Sequence, residues 1–193
     1  MNYLEKLPVP AKGTFNIGLT SPKNADMLGL FGHSVINGAY NPNGKCTVVN
    51  NPVFKAKLAT RNVGPFKVTG LNVALDSLAA IFSRVESEVP DLYALLQTEG
   101  MLCARFTKIK QPDGSIKIGP DVSNHSWGSA LDIKLGGILD PQGDNKVQRG
   151  LLVLSTYFNS AGWYWGAAFP TEDAMHFEVS KSLLANWRKA GLV

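Results

Sequence analysis

At 193 residues, 45% of them apolar and 18% charged, the chain is long enough to bury one hydrophobic core and far from the composition of a disordered segment. A net charge of +4 favours an anionic setting, yet no arm of clustered Lys and Arg and no aromatic-plus-basic motif is present, so nucleic acid is not an expected partner. No run of roughly 18 apolar residues occurs, and residues 1–10 carry Glu5 and two prolines where an export signal needs an apolar stretch, so neither a membrane span nor a Sec signal is expected.

In chain order, residues 1–65 are rich in Pro, Gly and Asn, as in Asn41-Pro42-Asn43-Gly44, and read as an irregular segment packed on a core formed by residues 66–193. Over 72–88 the spacing of Leu75, Leu78, Ile81, Phe82 and Val85 predicts a helix with one apolar face. Pro90 must interrupt it, and a short second helix is expected over 91–97. Loose alternation over 101–110, then Pro112-Asp113-Gly114 and residues 115–118, predicts a hairpin. Further expectations are a strand at 130–134, a helix at 147–161 with Leu151, Leu152, Leu154, Tyr157 and Phe158 inward, a strand at 176–179 and a closing helix at 181–189. Helices around a small sheet of hairpin-connected strands define an α+β class, here one domain over 1–193. Cys46 and Cys103 match no Cys-x-x-Cys pattern, and free thiols are favoured over a disulfide.

Only three histidines occur, and two lie in segments rich in other polar groups. Ser123-Asn124-His125-Ser126-Trp127-Gly128-Ser129-Ala130-Leu131-Asp132 reads as a loop carrying His125 that enters a strand carrying Asp132. Glu172-Asp173-Ala174-Met175-His176-Phe177-Glu178 holds the second histidine. Two imidazoles and a carboxylate suit zinc, and three protein ligands leave a fourth position for water, the arrangement of a catalytic site. His33 has no acid or histidine beside it and reads as a structural or surface residue.

The pattern Ser-x-His-x-x-Gly-x-Ala-x-Asp, met at Ser123, His125, Gly128, Ala130 and Asp132, resembles that of the M15 family of zinc D,D- and L,D-peptidases. The family's second motif, an acid three residues before the last ligand, is met by Asp173 and His176. The resemblance implies a hedgehog/D-Ala-D-Ala peptidase-like fold with a small antiparallel sheet carrying the zinc site, flanked by helices. It implies one zinc ion on His125, Asp132 and His176, while Asp173 takes a proton from the attacking water and returns it to the leaving amine. Relatives usually have Glu at this acid position, which makes neighbouring Glu172 a rival. A strand through the segment would send Asp173 away from the face of His176, whereas a turn before His176 would lift that constraint.

By the same resemblance Arg105 binds the substrate carboxylate or the oxyanion, with an ordinary surface Arg as the alternative. Ser123 is a substrate or ligand hydrogen-bonder, or else a turn residue. Trp165, in Gly162-Trp163-Tyr164-Trp165-Gly166, helps wall the cleft, with core packing the alternative for one of the two tryptophans. The implied activity is hydrolysis of an amide bond in a peptidoglycan stem peptide by a monomer acting in the periplasm or cell wall after phage-type lysis or secretion-system delivery. The alternatives are a non-catalytic zinc-bearing binding module and a peptidase for another D-amino-acid peptide.

Overall fold

The computed structural model describes residues 1–111 and 113–193; Pro112, expected in the hairpin turn, lies outside the described residues. The first 65 residues contain more regular structure than their composition indicates: β1 (Lys6–Pro8), α1 (Asn24–Phe31), a 3-10 turn (Ile36–Gly38), α2 (Pro52–Lys55) and β2 (Leu58–Val63). They are also woven into the remainder. Strand β1 pairs antiparallel with a later strand at 146–148, and Asn16 exchanges hydrogen bonds with Asn159 and the backbone of Trp165.

Strands β2 and β3 (Phe66–Leu71) form a hairpin that runs directly into α3 (Asn72–Glu88). All five residues of the predicted apolar face of α3 are buried. Pro90 opens α4 (Pro90–Tyr93), as the fixed φ and missing N–H of proline favour the first helical turn. This helix stops at Tyr93, and Leu96–Gly100 is strand β4, so the expected helix over 91–97 is corrected in its second half: Leu96, Gln97 and Thr98 gain partners on the central sheet. The hairpin is β5 (Phe106–Lys110) against β6 (Ile116–Val122), and its first strand begins later than the alternation suggested.

Beyond it come β7 (Ala130–Leu135), β8 (Lys146–Gln148), α5 (Arg149–Ser160), β9 (Trp163–Trp165), β10 (His176–Val179) and α6 (Lys181–Lys189). The expected helix at 147–161 loses its first two residues to β8, where they pair with β1. In α5, Leu151, Leu154 and Phe158 are buried, while Leu152 and Tyr157 are half-buried.

The central sheet has the strand order β4-β7-β10-β9, every neighbouring pair antiparallel. Helices and small antiparallel sheets together make this an α+β fold. A continuous apolar core runs from Tyr3 to Trp187 and takes Leu75, Leu78 and Phe82 from α3, Leu131 and Ile133 from β7, Phe158 from α5 and Phe177 from β10. With these strands anchored, the opposite face of β7 and β10 is free to carry polar groups at fixed spacing.

Cys46 and Cys103 form a disulfide, correcting the expectation of free thiols. A bridge between Thr47 and Ala104 aligns the two segments and sets the cysteine Cα atoms 5.0 Å apart, a proximity that their separation of 57 residues conceals in the sequence. No described helix is long and apolar enough to cross a membrane.

Candidate metal centre

The antiparallel register of β7 and β10 sets Asp132 directly opposite His176. Directly opposed residues project from the same face of a sheet, so strand pairing alone brings this carboxylate and imidazole together. His125 comes from a 3-10 turn, Asn124–Trp127, that bridges β6 to β7. A neighbouring stretch of backbone cradles the turn: Cys103 N–H donates to the His125 carbonyl at 3.0 Å, Arg105 N–H to Ser126 Oγ at 2.9 Å, and Ser123 N–H to the Arg105 carbonyl at 2.9 Å.

Gly128 ends the turn in the left-handed region, at φ 57°, and a Cβ there would lie 2.6 Å from the Gly70 Cα. Only glycine satisfies both demands, which gives the motif's glycine a physical reason. Gly166 is similar, since a Cβ would stand 2.6 Å from the Asp173 carbonyl oxygen and 3.1 Å from the His176 Cβ.

His125, Asp132 and His176 each offer a ligand atom within 4.8 Å of the others. His125 Nε2 lies 3.2 Å from Asp132 Oδ2 and 3.2 Å from His176 Nδ1, which is itself 3.0 Å from Asp132 Oδ1. The remaining ring nitrogens decide what these atoms can do. His125 Nδ1 is 2.9 Å from the Met101 carbonyl, and His176 Nε2 is 2.9 Å from Glu178 Oε2. Both partners are acceptors, so each holds a proton on the outer nitrogen, and the inner nitrogen, which faces the Asp132 carboxylate, is the one that a metal would take in place of a proton. Two oriented imidazoles and a carboxylate form a donor set that fits a divalent metal, with the outer hydrogen bonds such ligands ordinarily have.

Burial opposes charge on His176, but its hydrogen bonds to Asp132 and Glu178 outweigh that and hold it well above the usual imidazole value. Burial likewise works against ionisation of Asp132 and Glu178. The histidines overcome it, and both carboxyls sit below their ordinary values.

The chain turns just before His176, whose N–H donates to the Asp173 carbonyl at 3.1 Å, so strand alternation does not apply to residue 173. Burial pushes the Asp173 carboxyl up to about 6, with Asp132 and Glu172 adding to the rise and both histidines opposing it. Asp173 Oδ2 accepts from Gln142 Nε2 at 3.2 Å, while Oδ1 is buried and has no hydrogen-bond partner among the described residues. Glu172 has a different situation. Its Oε2 accepts from the N–H groups of Gly143 and Asn145, and its Oε1 from that of Ala174, so this buried carboxylate holds a loop in place.

Arg105 is half-buried; burial lowers its pKa, against the opposing charges of Asp132 and Asp173. Ser123 is buried at the start of the His125 turn and joins it through backbone bonds. Trp165 requires a correction: it is fully buried, packs edge-on against Phe15 and parallel to Phe177, and donates Nε1–H to the Ala174 carbonyl. It braces the backbone before His176 from within the core and has no surface to offer a substrate. Phe169 lies beside His176, with ring centroids 5.5 Å apart, and stacks with Tyr164. His33 is exposed and lies against Tyr40.

The sequence reading missed Glu178, although its position two residues after His176 on a strand places it on the same face. It also missed the Met101 carbonyl, for which a sequence carries no signal.

A family model described as D-alanyl-D-alanine carboxypeptidase matches residues 118–179, the segment that holds His125, Asp132, Asp173 and His176. The class this supports is a peptidase. The matched segment is thus similar to the peptidase family that the two motifs also resemble. No curated protein and no solved structure matches the chain.

Proposed function

We propose that this protein hydrolyses an amide bond in a peptidoglycan stem peptide, using one zinc ion held by His125, Asp132 and His176. The observation that carries the reading is the convergence of three ligand atoms within 4.8 Å, with the outer nitrogen of each histidine engaged by an acceptor. Zinc in such a site supplies Lewis acidity toward the scissile carbonyl and lowers the pKa of water toward neutrality.

The chain's own groups do the rest. Asp173, poised at about 6, is ionised at neutral pH and accepts the proton of the attacking water, then delivers it to the departing amine as the C–N bond breaks. Its buried Oδ1, without a hydrogen-bond partner among the described residues, is the oxygen left to accept that proton. Glu172 is the weaker choice because three backbone amides already occupy it. Arg105, beside the two aspartates, is suited to a substrate carboxylate or to the developing oxyanion. Phe169 and Tyr164 supply an apolar wall for a small side chain.

The disulfide fits an oxidising compartment, in keeping with action at the periplasm or cell wall by a monomeric single domain. Mass spectrometry of defined muropeptides incubated with the zinc-loaded protein, with and without a chelator, tests the reading. Chelator-sensitive loss of a terminal D-Ala identifies a carboxypeptidase, and a cut inside the stem or crosslink an endopeptidase. Intact muropeptides in the presence of confirmed zinc would overturn the proposal in favour of a binding module or another D-amino-acid peptide.

A further inference from the structure

The loop between β7 and β8 is held at several points, and one side chain between them reaches the candidate site. Asp140, midway along it, is buried, pairs with Lys6 and accepts the Gln148 N–H. Lys110 Nζ donates to the Gln142 carbonyl at 2.6 Å. Gly143 N–H donates to the Glu172 carbonyl at 2.9 Å and to Glu172 Oε2 at 3.1 Å, and Asn145 N–H reaches the same carboxylate oxygen. Asn145 in turn gives its carbonyl to Val9 N–H. Between these fixed points the Gln142 amide donates Nε2–H to Asp173 Oδ2.

We infer that Gln142 is a positioning residue for Asp173: its amide occupies Oδ2, fixes the carboxylate's rotation and leaves Oδ1 as the oxygen that handles the proton. This rests on the peptidase reading given above. A carboxylate with both oxygens free can rotate about its last bond, and the short Asp side chain has little reach to correct a misplaced oxygen. A neutral amide suits the task because it orients the group without the strong charge pairing that a Lys or Arg would impose on a base. Glu172 and Lys110 act one step further back, by holding the Gln142 carbonyl and the backbone that follows it. This gives the buried Glu172 a role without direct proton transfer.

The test is steady-state kinetics of the zinc-loaded protein on the muropeptide that the wild type cleaves, for Gln142→Met and Gln142→Ala. Met keeps the volume and removes the donor, and neither change touches the backbone bonds of the loop. Both variants should lose kcat by roughly tenfold to 100-fold, as expected for a misplaced proton-transfer group, with KM within about twofold, zinc content unchanged and the thermal midpoint lowered by no more than the loss of one hydrogen bond to a buried carboxylate implies. In an Asp173→Ala background the Gln142→Met change should have no further effect, because the amide acts only through that carboxylate.

Wild-type kcat in Gln142→Met would overturn the inference. So would a loss that appears in KM, in zinc content or undiminished in the Asp173→Ala background, any of which assigns the residue to substrate binding or to loop structure. A wild-type protein that cleaves no muropeptide overturns the peptidase reading first and this inference with it.

Discussion

Glu178 offers the sharpest test of the metal centre, because it touches a proposed ligand without being one. It is 2% exposed, and its Oε2 receives hydrogen bonds from His176 Nε2 at 2.9 Å and Asn124 Nδ2 at 2.8 Å. Glu178→Gln keeps the size and an oxygen able to accept from Nε2–H, but removes the charge. A hydrogen bond with an ionised partner contributes about 1.5–3 kcal/mol and a neutral one about 0.5–1.5. The difference of about 1–1.5 kcal/mol predicts roughly tenfold weaker zinc binding. Glu178→Ala also releases the imidazole from its orientation and leaves Asn124 unpaired, so its loss should approach 100-fold, the upper range for outer partners of metal-bound histidines. Competition with a chromophoric chelator at fixed pH reads both constants, and circular dichroism of the metal-free proteins controls for folding. Equal zinc affinity in wild type, Glu178→Gln and Glu178→Ala would refute the assignment of His176 as a ligand oriented by this carboxylate.

In the proposed site zinc would displace a proton from His176 Nδ1, and the value of that imidazole is raised, so zinc affinity should climb by about tenfold per pH unit until the raised value is passed, as calorimetry in buffers of different ionisation enthalpy can measure. The same proton stabilises the metal-free fold: its contribution is complete below the unfolded histidine value of about 6.5 and disappears as pH rises through the higher folded value, so the thermal midpoint of the metal-free protein should lose this increment on the alkaline side. Asp173→Ala should retain zinc while losing activity by about 100-fold or more, whereas Glu172→Ala should lower the thermal midpoint by freeing three backbone amides; zinc analysis, kinetics and calorimetry separate the two. Reduction of Cys46–Cys103, which spans 57 residues, should cost about 4 kcal/mol on the chain-entropy account, visible as a lower denaturation midpoint in dithiothreitol than in its absence.

The parts of this protein that were readable in its sequence are those in which local periodicity and tertiary demand coincide. Helix α3 is one: each residue of its apolar stripe faces the core, so spacing alone located it. Strands β7 and β10 were found with nearly their true limits for the same reason. Where a segment's partner is distant in sequence, the local pattern misleads. Leu96–Gly100 follows a helix start and has helix-compatible residues, yet it is a strand because β7 offers an unpaired edge. Val147 and Gln148 continue an apparent helical run, yet they pair with Leu7 and Lys6. The disulfide was misjudged on the same ground, since nothing near Cys46 announces Cys103.

The candidate site divides along that line too. Its three candidate ligand positions were legible as a motif, but the groups that orient them come from elsewhere in the chain. Met101 reaches His125 with a backbone carbonyl, which any residue type provides. Gln142 reaches Asp173 from a loop 31 residues away, and only the hydrogen bonds of that loop to Lys110 and Glu172 make the encounter intelligible. Trp165 shows the converse. Its residue type and place beside the motif point to a cleft wall, but its indole N–H has a partner in the Ala174 carbonyl, and once that bond is made the ring belongs to the core. Phe169 remains beside His176, so the size of the substrate side chain should follow that ring and be insensitive to conservative changes at Trp165 that preserve the core.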